Sequence, residues 1–181
     1  MRVLGIDPGL TRCGVGVVDG EPGRPATLIA AGVIRTPADL NHAKRLLRID
    51  EGIAAWVDEY APQVIAVERV FADRNVESVI GTAQAAGLAM VAAARRDLPV
   101  YTHTPTEVKA AISGSGRADK AQVGAMVARI LRLAAPPEPA DAADAVALAI
   151  CHLWRGAAAD RIEAALARNG SGRGVSLRRS A

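Results

Sequence analysis

Two apolar segments of this chain each end in one acidic residue, and this pattern limits the possible folds more than any other feature. Asp7 follows the apolar run at 3–6, and Glu68 follows the run at 64–67. A carboxylate at the end of a buried strand loses hydration, so it needs a cation or a proton as compensation. If the two strands are neighbours, both carboxylates lie at one edge of a sheet, within a few ångströms of each other.

A second pair of acids lies near the start of an alanine-rich segment. Asp141 and Asp144 are three residues apart, so on a helix they project to the same face. Carboxylate oxygens are the ligands that Mg²⁺ prefers, and the four acids together predict a site for divalent metal. Simpler roles exist: Asp141 is equally suited to cap the helix, and Asp7 could start a turn before Pro8. Glu68 has the weakest alternative role.

The composition predicts one ordinary domain without a membrane segment. The 181 residues are 50% hydrophobic but only 3% aromatic, so the core must be built from Ala, Val, Leu and Ile. No apolar stretch approaches the ~20 residues that span a bilayer, and the first residues enter a strand without a signal-peptide pattern. Cys13 and Cys151 are isolated, which favours buried reduced thiols in a cytoplasmic protein.

The positive charge of the chain is concentrated at its C-terminal end. The net charge is +3, and the segment 169–181 alone carries three arginines and no acid. The remainder of the chain is therefore neutral overall, so nucleic-acid binding by the body would require local basic patches. The segment 169–181 is predicted to be a flexible basic tail after a single domain at 1–168.

The order of predicted elements is that of an α/β protein. Hydrophobic runs and turn residues predict five strands, at 2–7, 13–18, 27–35, 63–68 and 100–104. Periodicity and capping residues predict a helix that starts within 38–42 and ends near 60, and further helices at 76–96, from 105 onward, from 119 to about 133 and from about 140 to 154. Two helix starts carry a capping-box pattern, at Thr104 and at Asp119.

Five motifs in this order resemble the bacterial RuvC family of Holliday-junction resolvases, over about residues 1–155. The motifs are Gly5–Gly14, Val67–Phe71, Glu107–Lys109, Asp119–Val123 and Ala140–Ala145. The resemblance implies a ribonuclease-H-like mixed five-stranded sheet flanked by helices, a homodimer, and symmetric nicking of two opposed strands of a four-way DNA junction in recombination and repair. It also implies a partnership with a RuvA/RuvB-type branch-migration complex.

The resemblance assigns the catalytic metal site to Asp7, Glu68, Asp141 and Asp144. It implies Mg²⁺, two ions per site with Mn²⁺ as a substitute, and products that carry 5′ phosphates. In some family members the first helix acid is histidine, so the role of Asp141 is the least defined. His103 and His152 are isolated in sequence and are not assigned as ligands.

The resemblance also indicates residues that bind DNA. Lys109 and Lys120 correspond to lysines that face DNA near the site, although solvated surface lysines are the ordinary alternative. Phe71 is the single phenylalanine and is either a core residue or a wedge that stacks on bases at the crossover. Arg69 and Arg74 flank it and could hold phosphates.

The helix predicted at 76–96 is rich in small residues, which permits close approach either to its own sheet or to a second subunit. The family implies the second, a two-fold dimer interface. Two other functions remain open from the residues: a nucleotide-binding protein of the actin and hexokinase type, and a junction-binding protein without catalysis. The first normally needs two domains, and the full set of carboxylates argues against the second.

Overall fold

The computed structural model describes residues 1–21, 24–70 and 76–170, with side chains described for these residues except 76–78 and 157–170. Five strands occur, each within two residues of its predicted bounds: β1 (Arg2–Asp7), β2 (Arg12–Asp19), β3 (Thr27–Arg35), β4 (Val64–Glu68) and β5 (Val100–His103). Five helices accompany them: α1 (His42–Tyr60), α2 (Val76–Ala94), α3 (Pro105–Ser113), α4 (Lys120–Ile130) and α5 (Ala140–Gly170).

The strands form one mixed sheet in the order β3-β2-β1-β4-β5. The first three strands pair antiparallel, whereas β1, β4 and β5 run parallel. Ile6 pairs with Val67, and Glu68 pairs with His103. The carboxyl ends of β1, β4 and β5 therefore meet at one edge of the sheet, as the two acidic strand ends required. The predicted mixed five-stranded α/β sheet is confirmed.

Helices cover the two faces of the sheet and enclose two apolar clusters. Val15 and Val17 of β2 pack with α1 and α2 on one face. The alternate face of the same strand, which carries Val18, packs with α3, α4 and α5. Alternation along a strand explains the division, because successive side chains point to opposite faces.

Helix α5 lies unusually close to the sheet because glycines stand beneath it. A Cβ atom at Gly5 would lie 2.0 Å from the carbonyl oxygen of Ala145, and one at Gly14 would lie 2.1 Å from the carbonyl oxygen of Asp141. No other residue type fits at these separations. The glycines therefore seat the first turns of α5 directly beside the end of β1.

The last helix is longer than the sequence pattern predicted. It was expected to end near Trp154, but α5 continues to Gly170, because the alanine-rich stretch after residue 156 favours helix. The predicted start of the tail at 169 consequently falls within the last two residues of α5. Residues 171–181 lie outside the described part of the chain.

Both cysteines are buried and unbridged, as predicted. In the described residues, no helix combines the length and the apolar character needed to cross a bilayer.

Candidate active site

Three of the four predicted acids line one cavity at the carboxyl edge of the sheet. Asp7 ends β1 and Glu68 ends β4. The residues just before them, Ile6 and Val67, are partners in the parallel register, so the two acids are neighbours. Asp144, on α5, completes the acidic wall. The cavity measures about 240 Å³, and its other lining residues include two lysines and an apolar wall: Lys109, Lys120, Pro105, Val108, Val123 and Ala147.

Each of the two acids on α5 contacts a cationic side chain. Lys120 donates from Nζ to Oδ2 of Asp144 at 2.8 Å. Asp141, one turn earlier, accepts from Nε of Arg12 on β2. The contact to Arg12 gives Asp141 a role beyond that of a helix cap, which the sequence alone left open.

The acids are close enough to disturb each other's protonation. Burial, followed by the charges of Glu68, Asp144 and Asp141, raises the pKa of Asp7 to about 7, against an opposing effect of Lys120. Burial and the charge of Asp144 also raise the pKa of Glu68. The lysines do not compensate the negative charge fully, so this edge of the sheet favours protons or additional cations.

The donor set suits a hard divalent cation, although the side chains are not yet arranged around one. Among the described residues, no three Asp, Glu, His or Cys side chains converge closely enough to hold an ion as they stand. Arg12 and Lys120 engage the two helix acids. Carboxylate oxygens, uncompensated charge and an open cavity fit Mg²⁺, provided that Asp141 and Asp144 exchange their protein cations for metal.

Two capped helices bring the lysines to the cavity. At the start of α3, Glu107 N donates to Thr104 Oγ1 at 3.1 Å, and Thr104 N donates to Glu107 Oε2 at 2.7 Å. An equivalent capping box joins Asp119 and Gln122 at the start of α4, so both predicted boxes are confirmed. The second box places Lys120 in the first turn of α4, and the hydrogen bond to Asp144 raises the pKa of Lys120.

The remaining predicted DNA-binding residues either line a different cleft, which shares Glu68 with the acidic cavity, or lie outside the described residues. Arg69 is exposed and donates from Nη2 to Thr102 Oγ1 at 3.1 Å. Its side chain lines a neighbouring cleft against α2, with Met90 and Gly87 on the opposite wall. Phe71 and Arg74 fall outside the described residues.

Arg12 was not predicted from the sequence as a site residue. It follows the Asp7–Gly9 turn and begins β2, and its side chain is 44% exposed. The sequence offers one indication of this role, which is position: Arg12 begins β2, and β2 pairs with β1, the strand that ends in Asp7. Its partner Asp141 is 129 residues away, so no local pattern indicates the contact.

The two histidines that are isolated in sequence contact each other, and His103 is the register partner of Glu68. His103 Nε2 and His152 Nδ1 lie 3.1 Å apart, and the ring of His152 packs on Tyr101 with centroids 4.6 Å apart. Burial lowers the pKa of His103. The pair joins the end of β5 to α5.

Comparison with known proteins identifies the family. Residues 3–152 match the family model described as "Crossover junction endodeoxyribonuclease RuvC". A relative of that name from Cutibacterium acnes is 71% identical over 174 residues, covering 96% of this chain and 89% of the relative. Another, from Thermobifida fusca, is 66% identical over 179 residues, covering 99% of this chain and 97% of the relative.

Solved structures agree with this result. T. thermophilus RuvC in complex with Holliday junction substrate matches with a TM-score of 0.83 at 35% identity, over 88% of this chain and 96% of that chain. The yeast mitochondrial Holliday junction resolvase Ydc2 matches with a TM-score of 0.63 at 12% identity, over 92% of this chain and 85% of that chain, which concerns the ribonuclease-H-like fold alone. The chain thus belongs to the RuvC family of crossover junction endodeoxyribonucleases, enzymes that hydrolyse phosphodiester bonds.

Proposed function

We propose that this chain resolves four-way (Holliday) DNA junctions by paired, symmetric cleavage of two opposed strands, leaving 5′ phosphates, in homologous recombination and DNA repair. The observation that carries the proposal is the cavity in which Asp7, Glu68 and Asp144 face Lys109 and Lys120. Acids alone would repel DNA, and lysines alone would only bind it. Their combination suits a site that takes cations and a phosphate together.

Asp7, Glu68, Asp141 and Asp144 would hold the metal, which we propose to be two Mg²⁺ ions with Mn²⁺ as a substitute. When bound, the ions supply a water of lowered pKa and charge stabilisation for the departing 3′ oxygen. The chain's own contribution begins with Asp7, whose raised pKa means that its carboxyl group must lose a proton before it can act as a ligand. The pairs with Arg12 and Lys120 hold the helix acids near the cavity until then.

The lysines would bind the phosphates on either side of the bond to be cut. Lys120 lies at the N-terminus of α4, where free backbone amides also favour anions, and release from Asp144 would free its ammonium group. Lys109 lies on the same wall. Phe71 is proposed as the wedge at the crossover, and Arg69 and Arg74 as phosphate contacts beside it.

A homodimer is proposed through the outer face of α2. Ile80 is 51% exposed, and Met90 and Val91 are each 44% exposed, a large apolar surface for one helix. Gly87 lies on the same face and has open space above it. A symmetric contact there would set two sites toward two opposed strands. We also propose a cytoplasmic location and a RuvA/RuvB-type branch-migration complex as partner, on the family resemblance.

The decisive experiment compares a synthetic four-way junction with a linear duplex of the same sequence, each with and without Mg²⁺. The proposal expects paired nicks in the junction alone, dependent on metal, with ends that a ligase can seal. Binding without nicking would indicate a non-catalytic junction protein, and nucleotide hydrolysis indifferent to junctions would indicate the actin-like alternative. Either result would refute the proposed function.

A further inference from the structure

Two arginines face each other across neighbouring strands beside the acidic cavity. Arg12 of β2 pairs with Arg35 of β3 in the antiparallel register, so their side chains project to the same face of the sheet. This is the face covered by α5, because Arg12 reaches Asp141. Like charges directly opposite each other destabilise a sheet, so the arrangement costs stability unless an anion offsets it.

Asp141 compensates only one of the two arginines. It contacts Arg12, whereas Arg35 is exposed and forms no ion pair with any residue that the structure describes. Glu51 of α1 lines the same cleft as Arg35, together with Arg48, but it forms no ion pair with Arg35. The pair therefore presents uncompensated positive charge to solvent.

The strand ends that carry the two arginines are held rigidly. Thr36 N donates to Thr11 O at 3.1 Å, and Thr36 Oγ1 donates to Leu10 O at 2.6 Å. Arg45 of α1 bridges the same two threonines, from Nε to Thr36 Oγ1 at 2.9 Å and from Nη2 to Thr11 Oγ1 at 2.6 Å. The backbone at both arginines is therefore preorganised, as a binding surface requires.

The arginine pair lies on the β3 side of the acidic cavity. Across the sheet, in the order β3-β2-β1-β4, the four strands carry Arg35, Arg12, Asp7 and Glu68 respectively. The lysines line the cavity with Glu68, on the other side. Strands are spaced about 5 Å apart, so β3 lies about 10 Å from β1, roughly the axial rise of three phosphates of one DNA strand.

We propose that Arg12 and Arg35 bind backbone phosphates of the strand being cut, on the side of the carboxylates opposite to Lys120. The inference rests on the proposed function, and it implies that the cut strand runs across the sheet from the arginines, past the carboxylates, to Lys120. Guanidinium groups bind phosphate through paired hydrogen bonds. Arg12 would be free to bind a phosphate when a cation takes its place beside Asp141, whereas Arg35 is exposed and forms no ion pair within the described residues.

The test measures how junction binding depends on salt. Arg35→Ala and Arg12→Gln are each introduced into an Asp7→Asn background, which keeps the junction uncut, and affinity is measured between 50 and 200 mM salt. Each variant should bind several-fold more weakly at the low-salt end, and the slope of log K against log salt should fall by about 0.9 per lost phosphate contact. Arg129→Ala is the matched control, an exposed arginine in the last turn of α4, and should behave as the parent.

Cleavage by Arg35→Ala in the otherwise native chain gives a second measurement. A single-turnover rate that falls at subsaturating protein and recovers at saturation supports a binding role. An unchanged salt slope and unchanged affinity for Arg35→Ala would overturn the inference. If Arg12→Gln weakens metal binding but leaves the salt slope intact, Arg12 only holds Asp141, and its assignment fails. Failure of the parent chain to prefer junctions over duplex would instead refute the proposed function, so the two failures are distinguishable.

Discussion

Gly14 on β2 lies directly beneath Asp141 on α5, so closely that a Cβ at position 14 would stand 2.1 Å from the Asp141 carbonyl oxygen and 3.2 Å from the Asp7 Cβ. Gly14 is also the register partner of Asp7. One residue without a side chain thus sets the separation between the strand acid and the helix acids.

Gly14→Ala should therefore damage both stability and cleavage. The clash is with backbone, so α5 must shift, and we expect a loss of about 3 kcal/mol in the free energy of unfolding, together with a large loss of cleavage rate. Gly124→Ala is the control, because its Cβ would meet only Pro136, at 3.5 Å, and a helical Gly→Ala change stabilises by roughly 0.5–1 kcal/mol. Denaturant unfolding measures both. Equal stability of the two variants would contradict the steric argument.

The stability of the metal-free protein should fall as pH rises. The pKa of Asp7 is raised from 3.8 to about 7, so between these values the folded state binds more protons than the unfolded state. The free energy of unfolding then declines through this window and levels off above it. Asp7→Asn removes the titration and should be more stable than the parent at pH 8 in chelator, by on the order of 3 kcal/mol.

Unfolding measured from pH 4 to pH 8 in chelator tests this prediction, with Asp39→Asn, an exposed carboxylate between β3 and α1, as the control. Mg²⁺ should stabilise the parent at pH 8 and have less effect on Asp7→Asn. If the free energy of unfolding of the parent does not change between pH 4 and pH 8, the pKa of Asp7 is not raised in the folded state, and the prediction is wrong.

Lys120→Ala should weaken junction binding and leave folding almost unchanged. Its side chain is 76% exposed, so loss of the pair with Asp144 costs little stability. Loss of a phosphate contact should lower the slope of log affinity against log salt by about 1. Lys44→Ala, an exposed lysine on α1 and the only lysine outside the cavity wall, is the control. A slope identical to that of the parent would exclude contact between Lys120 and DNA.

Gly87→Leu should separate the proposed dimer without unfolding the protomer. Apart from the local helix backbone, no atom of the described residues lies within 4 Å of a Cβ at this position, so the protomer accepts the larger side chain, and its helix gains from the loss of glycine. A partner helix at close range would not accept it. Sedimentation should therefore show monomers with unchanged or raised thermal stability, and paired nicks should become uncoupled. A dimer that survives Gly87→Leu would place the interface elsewhere.

Local features of the fold follow from short stretches of sequence. The capping boxes at Thr104 and Asp119 involve residues three positions apart, and strand bounds follow from runs of apolar residues, so both are readable without the rest of the chain. The acids at positions 7 and 68 indicate an edge of the sheet for the same reason. The length of α5 was wrong by sixteen residues, because the helix propensity of the alanine-rich stretch after residue 156 was given too little weight.

By itself, the sequence determined the order of strands and helices and indicated the four acids, whereas Lys109 and Lys120 were indicated only by the family resemblance. Tertiary structure alone decided which charges meet: Arg12 with Asp141, Lys120 with Asp144, Arg12 beside Arg35, and His103 against His152. The physical reason is that Coulomb interactions and hydrogen bonds act over a few ångströms, whereas the partners stand up to 129 residues apart. Only the close packing of α5 on a glycine-bearing sheet brings them within that range.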